Sequence, residues 1–253
     1  QELAQRVEER TQALKQAQEQ LIESSKMAAL GRMSSAITHE LNQPLTGLRT
    51  LLTTNELLAE RGQTDMMKAN NKLIQKLIDR MASMTSQLKT FAYNKPETLH
   101  EISLTNALEE TLRVYQSQLA KVDVRVRIPN DLPNIIGEEQ RLQQVLGNLI
   151  SNALDAMKET QDPQLMIAVT PTSDNVEVVV SDNGCGVPSD QLDTMFEPFQ
   201  TSKKIGEGLG LGLSITANNM RDMQGKISAQ LNADNADKGM SFTLMFELAP
   251  HRS

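Results

Sequence analysis

The sequence predicts an all-α helical hairpin forming a dimeric four-helix bundle, followed by an α+β domain with helices on one face of a mixed sheet. Three observations carry that prediction. Apolar residues recur at heptad spacing as far as Phe91, the pattern changes after Pro96 to short alternating strands between helices, and glycines cluster late in the chain, from Gly184 to Gly212. With about 100–200 residues expected per domain, 253 residues fit two.

The composition narrows the function. Lys+Arg is 25 against 32 Asp+Glu, a net charge of −7, which argues against a surface that neutralises nucleic-acid phosphates. The scarcity of aromatics, with no Trp, two Tyr and five Phe, argues against base-stacking platforms as well. Thirteen Met fit an adaptable helical core. Cys185 stands alone and cannot form an internal disulfide, so the chain reads as cytosolic. No apolar run approaches the roughly 18 residues of a membrane span. Gln1 is neither an initiator Met nor part of a signal sequence, and the expectation is a soluble piece excised from a longer protein.

In the first region Leu3, Val7, Leu14, Ala17, Leu21 and Ala28, with Arg10 and Ser24, alternate in steps of four and three. After a break near Gly31 the seam resumes as Ile37, Leu41, Pro44, Leu48, Leu51, Asn55 and Leu58 and stops at Arg61-Gly62. A second run, Ile74, Leu77, Met81, Met84, Leu88 and Phe91, ends at Asn94-Lys95-Pro96. Two helices with one apolar stripe each enclose a core poorly, so pairing with a second copy completes a four-helix bundle.

Beyond a proline-bearing linker from Asn94 to Thr98, segment 104–121 reads as a helix, Val122 to Ile128 as a strand and Glu138 to Lys158 as a helix. Leu165 to Thr170 and Val176 to Ser181 read as a strand hairpin, Leu211 to Met223 as a helix, and 226–231 with 241–248 as a closing antiparallel pair.

Four segments carry candidate chemistry. In His39-Glu40-Leu41-Asn42-Gln43-Pro44-Leu45 the histidine falls opposite the seam and faces water, with Glu40 beside it and Gln43 one turn on. Pro44 should bend the helix there. A neutral imidazole is nucleophilic, and an adjacent carboxylate can hold one ring N–H and stabilise the developing charge. His100 and His251 lack such neighbours.

Asn148, Asn152 and Asp155 share one helix face, with Leu142, Leu146, Leu149 and Ala153 opposite as core. Amide oxygens suit a hard cation such as Mg²⁺, which brings phosphates with it. Asp182-Asn183-Gly184-Cys185-Gly186 follows a strand, so its glycines permit a tight turn against a flat ligand while the carboxylate accepts from an exocyclic amine. Cys185 there reads as small and structural. Gly206-Glu-Gly208-Leu-Gly210-Leu-Gly212 feeds a helix, and exposed backbone N–H groups at a helix N-terminus make a phosphate cradle. Thr201-Ser202-Lys203-Lys204, after Phe196-Glu-Pro198-Phe199, reads as a lid whose lysines reach phosphate.

In this order and spacing, the motifs resemble the core of bacterial two-component sensor histidine kinases over nearly the whole chain. HELNQPL looks like the H box, NLISNALDA the N box, DNGCGV the G1 box, FEPF the F box and GEGLGLGLS the G2 box. The resemblance implies a coiled-coil signalling helix at 1–26, a dimerisation and histidine phosphotransfer domain at 27–94, and a catalytic ATP-binding domain of the Bergerat type, an α/β sandwich, at 98–250.

It further implies His39 as phosphoacceptor, Glu40 as its base or orienting acid and Asn152 as the Mg²⁺ ligand, with Asn148 beside it near the phosphates and Asp155 and Lys203 as further nucleotide-binding residues. Asp182 becomes the adenine reader, Gly184 and Gly186 the turn against the base, and Gly208, Gly210 and Gly212 the phosphate loop. Many relatives carry Thr or Asn where Gln43 stands, positioning water to dephosphorylate the regulator, which leaves phosphatase activity open. Bergerat ATPases that hydrolyse ATP carry Glu where Asn148 stands, which favours the kinase. The motifs look most like the branch of C4-dicarboxylate and nitrogen-regulation sensors. The implied activity is autophosphorylation of His39 from Mg-ATP and transfer to an aspartate of a response regulator receiver domain. The implied protein is a homodimer that binds no nucleic acid, the cytoplasmic portion of a sensor anchored in the inner membrane.

Overall fold

The computed structural model of the chain describes residues 2–92, 98–201, 209–232 and 239–249. The chain divides into two compact units, Gln1–Asn94 with Lys203–Leu211, and Lys95–Ser202 with Gly212–Ser253. Of the expected linker, 94–97 lies outside the described residues.

The first unit contains α1 (Glu2–Arg32), α2 (Ser34–Glu60) and α3 (Thr64–Ala92). The expected break near Gly31 falls at Met33, whose φ of −99° and ψ of 7° leave the helical region. Hydrogen bonds from Met33 N to Ala29 O (3.1 Å) and from Ile37 N to Met33 O (2.9 Å) carry the ladder across it. Pro44 lies inside α2 and is buried. The α2–α3 turn is a Schellman motif: Gly62 N donates to Ala59 O at 3.0 Å and Gln63 N to Leu58 O at 2.9 Å. Gly62 has a φ of +66°, which only a residue without Cβ adopts cheaply.

Two further features fix how α2 and α3 run past each other. A Cβ at Gly47 would lie 3.2 Å from Leu77 Cδ1, so the helices approach closely there. Nearer the turn, Asn55 Nδ2 donates to Asn71 Oδ1 at 2.8 Å and Asn70 Nδ2 to Asn55 Oδ1 at 2.9 Å. Asn55 was expected as a seam position, and it meets asparagines across the hairpin rather than apolar side chains. Leu45, Leu52, Met66 and Leu73 remain exposed on the hairpin, as do Val7, Leu14 and Leu21 at sevenfold spacing on α1.

The second unit is a five-stranded sheet in the order β2-β4-β5-β7-β6, made of β2 (Asp123–Arg127), β4 (Gln164–Pro171), β5 (Asn175–Asp182), β6 (Lys226–Leu231) and β7 (Met240–Glu247). β2 pairs parallel with β4 and the other pairs are antiparallel, which is the expected mixed sheet. A separate two-stranded sheet joins β1 (His100–Ile102) to β3 (Ile135–Gly137). Three residues give too short an alternation to read in sequence.

α4 (Leu104–Val114), α6 (Glu139–Ala156) and α7 (Gly212–Asp222) supply the helical layer. The expected single helix over 104–121 is interrupted at Tyr115, which caps α4 and opens the short α5 (Gln116–Leu119). α6 buries Leu142, Val145, Leu146, Leu149, Ile150 and Ala153. Val176, Val178 and Val180 alternate inward from β5, as a period of two requires, and join the same core.

Candidate active site

His39 and Gln43 are both exposed on α2, and the Gln43 amide nitrogen lies 3.3 Å from His39 Nε2. One turn of helix separates them, which places their side chains on the same face. When that amide donates, Nε2 offers its lone pair and the ring proton sits on Nδ1. Glu40, turned about 100° around the helix, is only 9% exposed, unlike its neighbour.

In the second unit α6 carries one expected stripe and is met by the turn after β5 and by the first turn of α7. Asn148, Asn152 and Asp155 are half-buried on one stripe of it. Asn148 Nδ2 donates to Gly212 O at 3.1 Å and to Thr216 Oγ1 at 3.2 Å, tying α6 to the first turn of α7. Asp155 pairs with Lys158 at 2.8 Å.

The turn after β5 packs against the end of α6. A Cβ at Gly184 would come 2.6 Å from Ala156 Cβ, so only glycine fits, and Cys185 N donates to Ala156 O at 3.1 Å. Gly186 has a φ of +66°. Asn183 braces the turn from the far side, with Gln164 N donating to its Oδ1 at 2.8 Å and its Nδ2 donating to Asp162 O at 2.8 Å. The Cys185 thiol is exposed.

Asp182, the last residue of β5, is 6% exposed. Burial pushes its carboxyl up to about 6, although N–H groups of Gly184 and Met240 donate to it and pull the other way. The Gly184 bond to Oδ1 is 2.8 Å. The result is a carboxylate with few waters around it that ionises just below neutral pH.

Gly212 opens α7, whose N-terminus carries the positive end of the helix dipole. A side chain at Gly212 would meet nothing within 4 Å, so packing does not ask for glycine there. Gly210 has a φ of +65°. Lys203, Gly208 and residues 202–208 of the expected lid and loop lie outside the described residues.

Several contributors escaped the sequence reading. A cavity of about 410 Å³ lies between α4 and α6, lined by Glu110, Tyr115, Gln144 and Gly147 among others, and reaches Asn148 but no other expected site residue. Burial raises the Tyr115 hydroxyl above its ordinary value, with the Asp155 charge adding to the rise. Thr216, Asn232 and Ser241 also hold site elements, and nothing in their sequence neighbourhood marks them.

Residues 137–250 match the family described as histidine kinase-, DNA gyrase B-, and HSP90-like ATPase. The chain is 36% identical over 234 residues to the C4-dicarboxylate transport sensor protein DctB of Pseudomonas aeruginosa, covering 89% of this chain and 38% of that protein. It is 31% identical over 222 residues to DctB of Rhizobium meliloti, covering 87% and 35%. The chain thus spans well under half the length of these curated relatives. Histidine kinase ThkA, solved in complex with response regulator protein TrrA, shares the fold with a TM-score of 0.74 at 21% identity, covering 94% of this chain and 67% of that one. Residues 137–250 therefore belong to the family of histidine kinase-, DNA gyrase B- and HSP90-like ATPases, and over nearly nine-tenths of its length the chain is related to the C4-dicarboxylate transport sensor proteins.

Proposed function

We propose that the chain moves the γ-phosphoryl group of ATP to His39 and from there to an aspartate on a response regulator. The observation that carries this reading is the pairing of two features in one chain: an exposed histidine whose Nε2 meets Gln43, and a buried carboxylate, Asp182, at a glycine turn on α6. His39 Nε2 attacks the γ-phosphorus, a P–N bond forms, and the bond to the β–γ bridging oxygen breaks with its electron pair leaving on ADP. Glu40 is assigned the role of base or orienting acid for the ring. Asp182 accepts from the adenine amine, Gly184 and Gly186 let the backbone approach the base, and Gly210 and Gly212, with Gly208 and Lys203, are assigned to the phosphates. Asn148 holds α7 in place beside them. Most of the rate comes from positioning and charge neutralisation.

Asn152 fits the proposed metal. Its side chain is half-buried and makes no hydrogen bond among the described residues, and its amide oxygen suits Mg²⁺. Bound there, Mg²⁺ would neutralise phosphate charge.

The exposed apolar residues of the hairpin and of α1 support a homodimer, with 1–26 as signalling helix, 27–94 as dimerisation and phosphotransfer domain and 98–250 as catalytic domain. The complex of ThkA with TrrA supports a response regulator as partner, the DctB relatives support a sensor protein as the whole, and membrane anchoring of that whole is part of the same proposal. The test is incubation with γ-labelled ATP and Mg²⁺. Label that is acid-labile and base-stable on the protein is expected, and label on a hydroxyl amino acid, or none, overturns the reading.

A further inference from the structure

We propose that Asn232 is a positioning residue for base selection, acting through the main chain of Asp182. This rests on Asp182 as the adenine reader. The ladder between β5 and β7 runs in register as far as Ser181 opposite Ser241. The next carbonyl, that of Asp182, is taken by a side chain: Asn232 Nδ2 donates to it at 2.8 Å.

Three strands hold that amide. Asn232 follows β6 directly, and its own N–H donates to Gly239 O at 3.1 Å. Its Oδ1 accepts from Ser241 Oγ of β7 at 2.5 Å, and its Nδ2 lies 3.2 Å from Ser181 Oγ of β5. The two serine hydroxyls are 2.8 Å apart, closing the ring. Gly239 leaves room for it, since a Cβ there would collide with the Asp182 carbonyl oxygen and stand 2.9 Å from Asn232 Nδ2.

The carboxylate is held beside that carbonyl. Gly184 N–H donates to it at 2.8 Å and the Met240 N–H bonds to it as well. Asp182 is thus pinned at its main chain by an amide and at its side chain by two backbone donors. Without Asn232 the carbonyl loses this hydrogen bond and the end of β5 loses its tie to the residue after β6. The carboxylate then loses its fixed direction, while the phosphate end of the site is untouched.

The test compares Asn232→Ala, Ser241→Ala, Asp182→Asn and the Asp182→Asn/Asn232→Ala double variant. Labelling rates are read against ATP and GTP concentration, with melting temperature measured alongside. Asn232→Ala should raise KM for ATP about ten-fold, narrow the preference for ATP over GTP, and leave kcat within about two-fold. Ser241→Ala, which only loosens Asn232, should move the same ratio less and keeps the question open to measurement where Asn232→Ala folds poorly. In the double variant the Asn232 change should add nothing. An unchanged ATP-to-GTP ratio in Asn232→Ala and Ser241→Ala, with a changed one in Asp182→Asn, overturns the inference alone. An unchanged ratio in Asp182→Asn overturns the adenine-reader assignment and this inference with it.

Discussion

His39 and Asp182 are supported in opposite ways. The ring of His39 is exposed, and its hydrogen-bond neighbour, Gln43, comes from the next turn of the same helix. Asp182 is buried and is held by the turn that follows it, by the residue after β6 and by the start of β7. A side chain supported locally can be removed with little effect on folding, so lesions at His39 should read as pure chemistry. Lesions at Asp182 should mix binding with stability, because the same burial that shapes the site also strains it.

The largest expected effect breaks the comparison on the chemical side. His39→Gln should abolish labelling while ATP affinity stays within about two-fold, since the lost group is exposed and its neighbours do not depend on it. Retained labelling would falsify the assignment of His39. Glu40→Gln comes next, with labelling slowed by roughly two to four orders of magnitude if Glu40 acts as base or orienter. An unaltered rate in a rapid-quench experiment would leave Glu40 with a packing role, for which its burial already provides a reason.

The same contrast explains what could be read in advance. The His39 motif is local, so its seven consecutive residues carry nearly all the information, as does the i, i+4, i+7 stripe of Asn148, Asn152 and Asp155. β5 with its Asp-Asn-Gly turn was legible because strand period and turn chemistry are both local rules. Asn232 was not, since its meaning lies in a carbonyl fifty residues earlier, and Ser181 and Ser241 look like ordinary strand hydroxyls until the sheet pairs them. The break at Tyr115 was missed for the same reason: nothing local stops the helix, and the ring packs against Gly147, where a Cβ would lie 3.4 Å from the Tyr115 hydroxyl.

Asp182→Asn sharpens the comparison on the buried side. Loss of a charged hydrogen bond to adenine should weaken ATP by about ten- to a hundred-fold, about 1.5–3 kcal/mol, in a fluorescent-nucleotide titration. The ligand-free protein should move the other way. Asp182 ionises near 6 in the folded chain against an ordinary 3.8, so the folded state binds its proton more tightly, and stability contributed at low pH is lost as pH rises through that window. Removing the charge should therefore stabilise the second unit at neutral pH, by at most about 3 kcal/mol. ATP affinity of the unaltered protein should fall about ten-fold between about pH 7 and pH 5 as Asp182 takes up its proton, and Asp182→Asn should flatten that profile. A profile that stays steep in the variant assigns the titration to another group.

The smallest expected effect tests whether stability and binding in the second unit can be separated at all. Glu138 caps α6, its carboxylate accepting from Gln140 N at 3.0 Å and Arg141 N at 2.7 Å. Glutamate is not a favoured capping residue, yet its charge faces the positive end of the helix that carries Asn148 and Asn152. Arg141 lies 4.0 Å from it and also reaches Asp222 of α7 at 2.6 Å, so α6 stays joined to α7 when Glu138 is lost. Glu138→Ala should lower stability by about 0.5–2 kcal/mol, a melting shift of a few degrees, with ATP affinity within about two-fold. Glu138→Gln keeps an acceptor without the charge and should fall between the two. A ten-fold loss of affinity in Glu138→Ala would mean that the cap sets the direction of the Asn148 and Asn152 stripe, and that even a lesion nearly three turns away from the site cannot be read as stability alone.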